Sequence, residues 1–278
     1  MTAKTVIVTG ASDGIGRAAA RILHEHGARV VLVGRSPGKT EALAGELGAD
    51  FHVADFARLA EVRALAETLL ERHPVIDVLA NNAGGIMGSR RVTADGHEST
   101  FQVNHLAPFL LTTLLLPRLA DSRATVINTS SALNLSARLD LDDLDAERRY
   151  SGTRAYSGSK LANILFTREL QRRHGAAGIS AASFHPGVVA TNFADGTDSV
   201  ARLTYRSPLK RLMLTPEQGA DTLVWLATTP PGEGWEPGGH YAKRRPAPTH
   251  RLAGDPEAAR LLWERSEAML AADPAQGA

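Results

Sequence analysis

Apolar positions along this 278-residue chain follow two alternating spacings. Short runs rich in β-branched residues read as strands: Thr5 to Thr9, Arg29 to Val33, Phe51 to Ala54, Ile76 to Ala80, Thr125 to Thr129 and Ile179 to Phe184. Between them the apolar residues fall three and four apart, the interval of one helix face. Those helices are Gly14 to His26, Lys39 to Leu47, Leu59 to Arg72, Glu98 to Leu119, Tyr156 to His174 and Pro216 to Thr228. Gly27 and Gly48 stand where helix ends favour glycine. Strands separated by helical crossovers predict an α/β fold, a doubly wound parallel sheet. A last strand near Gly239 to Tyr241 and a helix from Pro256 to Leu270 complete the pattern. No Pro/Gly/Ser-rich linker and no repeat divides the chain, so a single domain spanning residues 1–278 is expected. The stretch from Ala190 to Leu214 breaks the periodicity just after a strand end, where open α/β sheets gather their ligands. It suggests a substrate lid over about residues 190–214.

Composition removes several alternatives. Lys and Arg total 31 against 30 Asp and Glu, and a net charge of +1 offers no footprint for nucleic acid or an anionic membrane. The absence of cysteine excludes disulfides, thiolate metal sites and a cysteine nucleophile, and agrees with a reducing, cytoplasmic setting. Met1 to Lys4 pass directly into a strand, and no run of about 18 apolar residues follows, so neither a leader nor a membrane anchor is expected. No metal site is expected either. His24 and His26 lie two apart on a helix and do not share a face as an i,i+4 ligand pair would.

Thr9, Gly10, Ala11, Ser12, Asp13, Gly14, Ile15 and Gly16 spell T-G-x-x-x-G-x-G between the first strand and the first helix. Glycines there permit a tight turn and let backbone N–H groups approach a pyrophosphate at a helix N-terminus. Position gives the motif its force, because it follows a buried-type strand and opens a helix. This is the start of a Rossmann fold. The second strand runs into Gly34, Arg35 and Ser36, where such a fold meets the adenosine ribose. An acidic residue would favour a free 2′-hydroxyl, whereas Arg35 can pair with a 2′-phosphate, so NADP(H) is expected over NAD(H). Asp55 and Phe56, after the third strand, stand at the adenine edge.

Tyr156 and Lys160 occupy one helix face four residues apart. A phenol has a reference pKa of about 10, and a nearby ammonium lowers it, which makes Tyr156 a general acid/base candidate. With Asn81-Asn82-Ala83-Gly84, Asn104, Ser130-Ser131, Tyr156-x-x-x-Lys160 and Pro186-Gly187 following the glycine turn in order, the chain resembles the short-chain dehydrogenase/reductases over nearly its whole length. The run from Tyr156 to Leu170, His185-Pro186-Gly187 and Leu262-Trp263-Glu264 are similar to the retinol-dehydrogenase-like branch.

The resemblance implies roles. Tyr156 protonates a carbonyl oxygen, Ser131 hydrogen-bonds that oxygen, Lys160 holds the nicotinamide ribose, and Asn104 links Lys160 to a proton path. Asn82, Ala83 and Gly84 line the cofactor, as do Pro186, Gly187, Val189 and Thr191 near the nicotinamide. The implied activity is NADPH-dependent reduction of a ketone or aldehyde on a largely apolar small molecule, reversible as alcohol oxidation. Candidate pocket residues are Leu133, Asn134, Tyr150, Phe193 and the 190–214 segment. Relatives often pair through their long helices, so a homo-oligomer is compatible with the pattern.

Three alternatives remain beside this reading. A dinucleotide-sensing module needs only the cofactor half of the motif set. A double-bond reductase of the pigment-reductase kind would share Tyr and Lys but also use cysteines. A serine hydrolase would want a G-x-S-x-G elbow, which Ser130-Ser131 lack. Tyr150-Ser151-Gly152-Thr153-Arg154 nearly duplicates the Tyr/Lys motif six residues earlier. An Arg cannot replace the point-charge Lys in that relay, so Tyr150 is assigned to the pocket entrance or solvent.

Overall fold

In the computed structural model, which describes residues 3–189 and 213–272, eight strands build one sheet. They are β1 (Thr5–Thr9), β2 (Arg29–Gly34), β3 (Asp50–Val53), β4 (Val78–Asn81), β5 (Thr125–Thr129), β6 (Ser180–Phe184), β7 (His240–Ala242) and β8 (Arg245–Pro246). Their spatial order is β3-β2-β1-β4-β5-β6-β7-β8, parallel throughout except for β7 against β8. The order reverses between β1 and β4, which pair as Val6 with Val78 and Val8 with Ala80. A crevice at such a switch point is where doubly wound sheets bind ligands.

Alternation along β1 sorts the core into two layers. Ile7 points into the cluster formed with α3 (Leu59–Arg72), α5 (Ala107–Asp121) and α6 (Gly152–His174). Val6 and Val8 point to the other side, against α1 (Gly14–Glu25), α2 (Pro37–Leu47) and α7 (Pro216–Thr228). The period-2 backbone thus buries both sheet faces. The last helix, α8 (Pro256–Ala271), lies on the α5/α6 layer: Trp263 meets Phe109 at 4.9 Å and Phe166 at 5.8 Å between ring centroids, and Arg173 stacks over its indole.

The structure departs from the sequence pattern in three places. The stretch expected as one helix from Glu98 to Leu119 is α4 (Ser99–Phe101), a π-helical turn (Gln102–Leu106) and α5, because one extra residue is accommodated around Asn104. The helix expected to begin at Tyr156 begins at Gly152, capped by the Ser151 hydroxyl on Arg154 N; its first turn is polar and carries no apolar signal. The two-residue β8 closes an antiparallel edge for which so short a strand leaves no periodicity. Most of the lid expected at 190–214, with Thr191 and Phe193, lies outside the described residues; Leu214 is described and bridges to Val189.

Candidate active site

At the end of β1 the glycine turn is shaped by close approach. A Cβ on Gly16 would lie 2.3 Å from Gly10 O, and one on Gly10, whose φ is +68°, would lie 2.9 Å from Ala83 Cα. Only glycine fits either place. The turn is tied to the end of β4 through Thr9, whose hydroxyl accepts from Asn82 N at 2.9 Å and Ala83 N at 3.0 Å, while Asn82 Nδ2 donates to Thr9 O at 3.0 Å. Asn82 and Ala83 therefore brace the same cradle that Gly10, Gly14 and Gly16 open. Such a cradle, filled by any added Cβ and set before the N-terminus of α1, fits a dinucleotide pyrophosphate.

The flanking residues divide by role. Asp13 accepts from Gly14 N at 2.8 Å and pairs with Lys39 at 2.8 Å, so its carboxylate caps α1 and carries a cation beside it. Ser12 is half-buried beside Gly34, and Ile15 packs on the core under α1. Arg35 is exposed directly after β2, and Ser36 opens α2, its carbonyl accepting from the Thr40 hydroxyl at 2.6 Å. Asp55 folds back to accept from Ala57 N at 3.0 Å. The Phe56 side chain is 5% exposed and packs in the core beside the α3 layer.

The Tyr/Lys pair lies at the same switch point. Lys160 is 2% exposed; its Nζ donates to Thr129 O at 3.1 Å and stands 5.6 Å from the centroid of the Tyr156 ring. Burial brings the Lys160 ammonium down from 10.5 to about 7. Asn104 sits in the π-helical turn with its side chain fully engaged: Oδ1 accepts from Gly85 N at 3.0 Å, and Nδ2 donates to Gly85 O and Thr100 O, both at 2.8 Å. Gly84 closes the group, for a Cβ there would lie 2.4 Å from Asn104 Oδ1 and 3.2 Å from Lys160 Nζ. Asn104, Gly84, Tyr156 and Lys160 are thus brought together.

Of the paired serines, Ser130 is buried and spends its hydroxyl on Lys160 O at 2.8 Å. Ser131 is half-buried at the end of β5, its Oγ accepting from Leu133 N at 3.2 Å, and no acceptor among the described residues takes its hydrogen. That leaves Ser131 the hydroxyl able to donate outward. Asn134, a candidate pocket residue, is instead fully buried as a brace: Nδ2 donates to Ser131 O at 2.8 Å and Oδ1 accepts from His250 N at 3.0 Å. Pro186 and Gly187 follow β6, Gly187 at φ +84°, and His185 Nδ1 accepts from Gly187 N at 3.3 Å, a structural use of that histidine. Val189 is buried beside Leu214.

Tyr150 donates to Met87 O at 3.0 Å and faces Glu98 Oε1 at 3.4 Å. Burial and the Glu98 carboxylate push its phenol upward, opposite to what proton transfer near neutral pH requires. A cavity of about 270 Å³ opens on Ala155, Gly158 and Ser159, with Arg138, Arg149 and Arg154 around it, and does not reach Tyr156 or Lys160. It is separate from the Tyr/Lys cleft. Among the described residues no His/Asp/Glu cluster could hold a metal ion. Motif spacing does not point to Thr129, Asn163 or Lys39, although Asn163 lies three residues after Lys160 on one helix face.

Comparison with known proteins identifies the family. The short chain dehydrogenase family model matches residues 4–200. The chain is 46% identical over 273 residues to "Putative daunorubicin C-13 ketoreductase DnrU" of Streptomyces sp. (strain C5), covering 95% of this chain and 92% of that protein. It is 38% identical over 290 residues to retinol dehydrogenase 14 of Mus musculus, covering 97% and 86% respectively. A crystal structure from Mycobacterium paratuberculosis superposes with a TM-score of 0.76 at 34% identity, covering 96% of this chain and 92% of that one.

Proposed function

The chain belongs to the short-chain dehydrogenase family, oxidoreductases that act on CH–OH or carbonyl groups with a nicotinamide dinucleotide, and from that membership we propose that it is an NADPH-dependent carbonyl reductase. The observation that carries the reading is the buried Lys160 ammonium beside the Tyr156 ring, walled by Gly84 and Asn104 at the switch point of the sheet.

When bound, the nicotinamide dinucleotide supplies the hydride. Tyr156 holds the proton that the carbonyl oxygen takes up, and the product is the alcohol. Ser131 donates its free hydrogen to the same oxygen, stabilising the negative charge that develops there. Lys160 favours the phenolate that Tyr156 becomes, and the Thr129 carbonyl keeps the ammonium in reach. Asn104 holds Gly84 and Gly85, and so keeps open the space beside Lys160.

Arg35 and the nearby Lys39 support a 2′-phosphate, hence NADP(H) over NAD(H). Leu133, Leu135 and Val188 are 40%, 48% and 61% exposed after the ends of β5 and β6, an apolar rim unusual for solvent and suited to a substrate with a large apolar body. The names of the relatives, a daunorubicin ketoreductase and a retinol dehydrogenase, agree with a ketone or aldehyde on such a body. No helix among the described residues is long and apolar enough to cross a membrane, and the reading keeps a cytoplasmic setting. The test is NADPH consumption over a panel of apolar ketones and aldehydes, wild type beside Tyr156→Phe. Turnover that drops by about 10²-fold or more in the variant supports the reading; equal turnover in both sinks it.

A further inference from the structure

Behind Lys160 lies a chain of fully buried polar side chains that reaches the C-terminal helix. Asn163 Nδ2 donates to two carbonyls, Thr129 O at 3.1 Å and Asn104 O at 3.0 Å. The first of these is also the acceptor of the Lys160 ammonium. Asn163 Oδ1 faces His105 Nδ1 at 3.2 Å, and His105 Nε2 faces Ser266 Oγ at 3.0 Å, on α8. Asn104, His105, Asn163 and Ser266 are each 4% exposed or less.

Hydrogen accounting leaves one arrangement. Because both hydrogens of the Asn163 amide are spent on carbonyls, the atom it turns to His105 is an acceptor. His105 Nδ1 must then carry a hydrogen, for two buried acceptors at 3.2 Å would repel. The ring lies among Phe101, Phe109 and Phe166, and burial brings its pKa down to about 4, so at neutral pH it holds a single hydrogen. Nε2 is therefore an acceptor, and the Ser266 hydroxyl that faces it at 3.0 Å shares its one hydrogen between Nε2 and Leu262 O, to which it donates at 2.8 Å. The reverse order, with Nε2–H given to Ser266, would set the bare Nδ1 against Asn163 Oδ1.

We propose that Ser266, His105 and Asn163 form a positioning relay through which α8 orients the Thr129 and Asn104 carbonyls around Lys160, making the C-terminal helix part of the catalytic machinery. The proposal rests on the reading of Lys160 as a working residue. Without the Asn163 amide, Thr129 O and Asn104 O lose the donor that fixes them, and the seat of Lys160 Nζ on Thr129 O loosens beside Tyr156. None of the three residues touches the substrate.

The experiment measures kinetics and imidazole tautomers of wild type, Asn163→Ala, Ser266→Ala and Leu270→Ala. Leu270 lies on α8 and is 5% exposed, so its truncation loosens the same helix without touching the relay. We expect kcat to fall about 30-fold in Asn163→Ala and about 5-fold in Ser266→Ala with KM for NADPH held within twofold, the size of a sub-ångström misplacement of a reacting group. In Leu270→Ala, kcat stays near wild type although its melting temperature falls. Nitrogen NMR of the wild type is expected to find His105 neutral with its hydrogen on Nδ1, a readout independent of turnover. A hydrogen on Nε2, an unchanged kcat in Asn163→Ala, or an equal loss in Leu270→Ala and Ser266→Ala would each overturn the relay. Failure of the functional reading shows itself differently, as full activity in Tyr156→Phe.

Discussion

Gly84 gives the sharpest test of how the site is built, because its hydrogen atom occupies the space that any side chain would take from Asn104. In Gly84→Ala the new Cβ would lie 2.4 Å from Asn104 Oδ1, nearer than real Cβ contacts come. The φ of Gly84 is not positive, so the backbone itself accepts alanine and the cost is steric. Asn104 can yield only by releasing the pair it makes with Gly85 N and O. Two hydrogen bonds at about 1 kcal/mol each, with buried groups left unpaired, amount to about 2 to 4 kcal/mol. For a chain of this size that lowers the melting temperature by about 3 to 7 °C. The displaced Asn104 and the crowded Lys160 should also cost about 10²-fold in kcat. Thermal unfolding and NADPH-coupled turnover measure the two effects. The decisive comparison is Gly84→Ala in an Asn104→Ala background, where the clashing oxygen is gone and the added methyl should cost under about 1 kcal/mol. A Gly84→Ala protein with wild-type melting and turnover, or a double variant whose losses simply add, would refute the argument.

Two further outcomes follow from the charges. Arg35→Ala is expected to raise KM for NADPH about tenfold or more while leaving KM for NADH within twofold, since the guanidinium would pair with the 2′-phosphate; equal changes for both cofactors in steady-state kinetics would remove that contact. Lys160→Met is expected to be inactive yet more stable than wild type. Because burial holds the folded-state pKa of Lys160 at about 7, below its ordinary 10.5, the unfolded chain binds more protons between those values. Wild-type stability from this group therefore rises with pH across that window, and the advantage of Lys160→Met, on the order of 5 kcal/mol below pH 7, vanishes toward pH 10.5. Thr129 O keeps the Asn163 amide in that variant, so no acceptor is stranded. Urea unfolding at pH 6 and pH 10 checks it; a gain that grew with pH would contradict the burial argument.

Much of the fold was legible in the chain because its strands and most helices advertise themselves by period. β1, β5, α3 and α7 begin and end where the apolar spacing says they do. The π-helical turn was not legible, since a single extra residue in a helix shifts the period too little to register over five positions. Gly84 and Asn104 could be read as separate motif residues, but their contact depends on that turn. The packing of Phe56 was not legible either: an aromatic after a strand end can face the crevice or the core, and only tertiary packing decides. Asn163, His105 and Ser266 come from three helical segments far apart in sequence, and their alignment is a product of α8 docking on α6. Lys39 was hidden because its partner Asp13 lies 26 residues earlier, across the β1–α1 turn.

The two tyrosine motifs show why a spacing is not a mechanism. Tyr150 precedes α6 and reaches back to Met87 O and Glu98, a neighbourhood of carbonyl and carboxylate oxygens that favours the neutral phenol. Tyr156 lies two residues beyond Arg154, on the first turns of the same helix, yet its ring stands by a buried ammonium. Arg154 is exposed, beside the cavity that Arg138 and Arg149 also line. The difference is made by what lies across from each ring: Glu98, which caps α4 through Thr100 N and Phe101 N, against Lys160, which is held down on Thr129 O. A carboxylate raises a phenol and an ammonium lowers it, so the proposed proton chemistry is assigned to the second tyrosine although the first stands in a nearly duplicate motif. Exchanging the residues around Tyr150 for those around Tyr156 would not move the activity, because the ammonium's seat belongs to β5 and not to the motif.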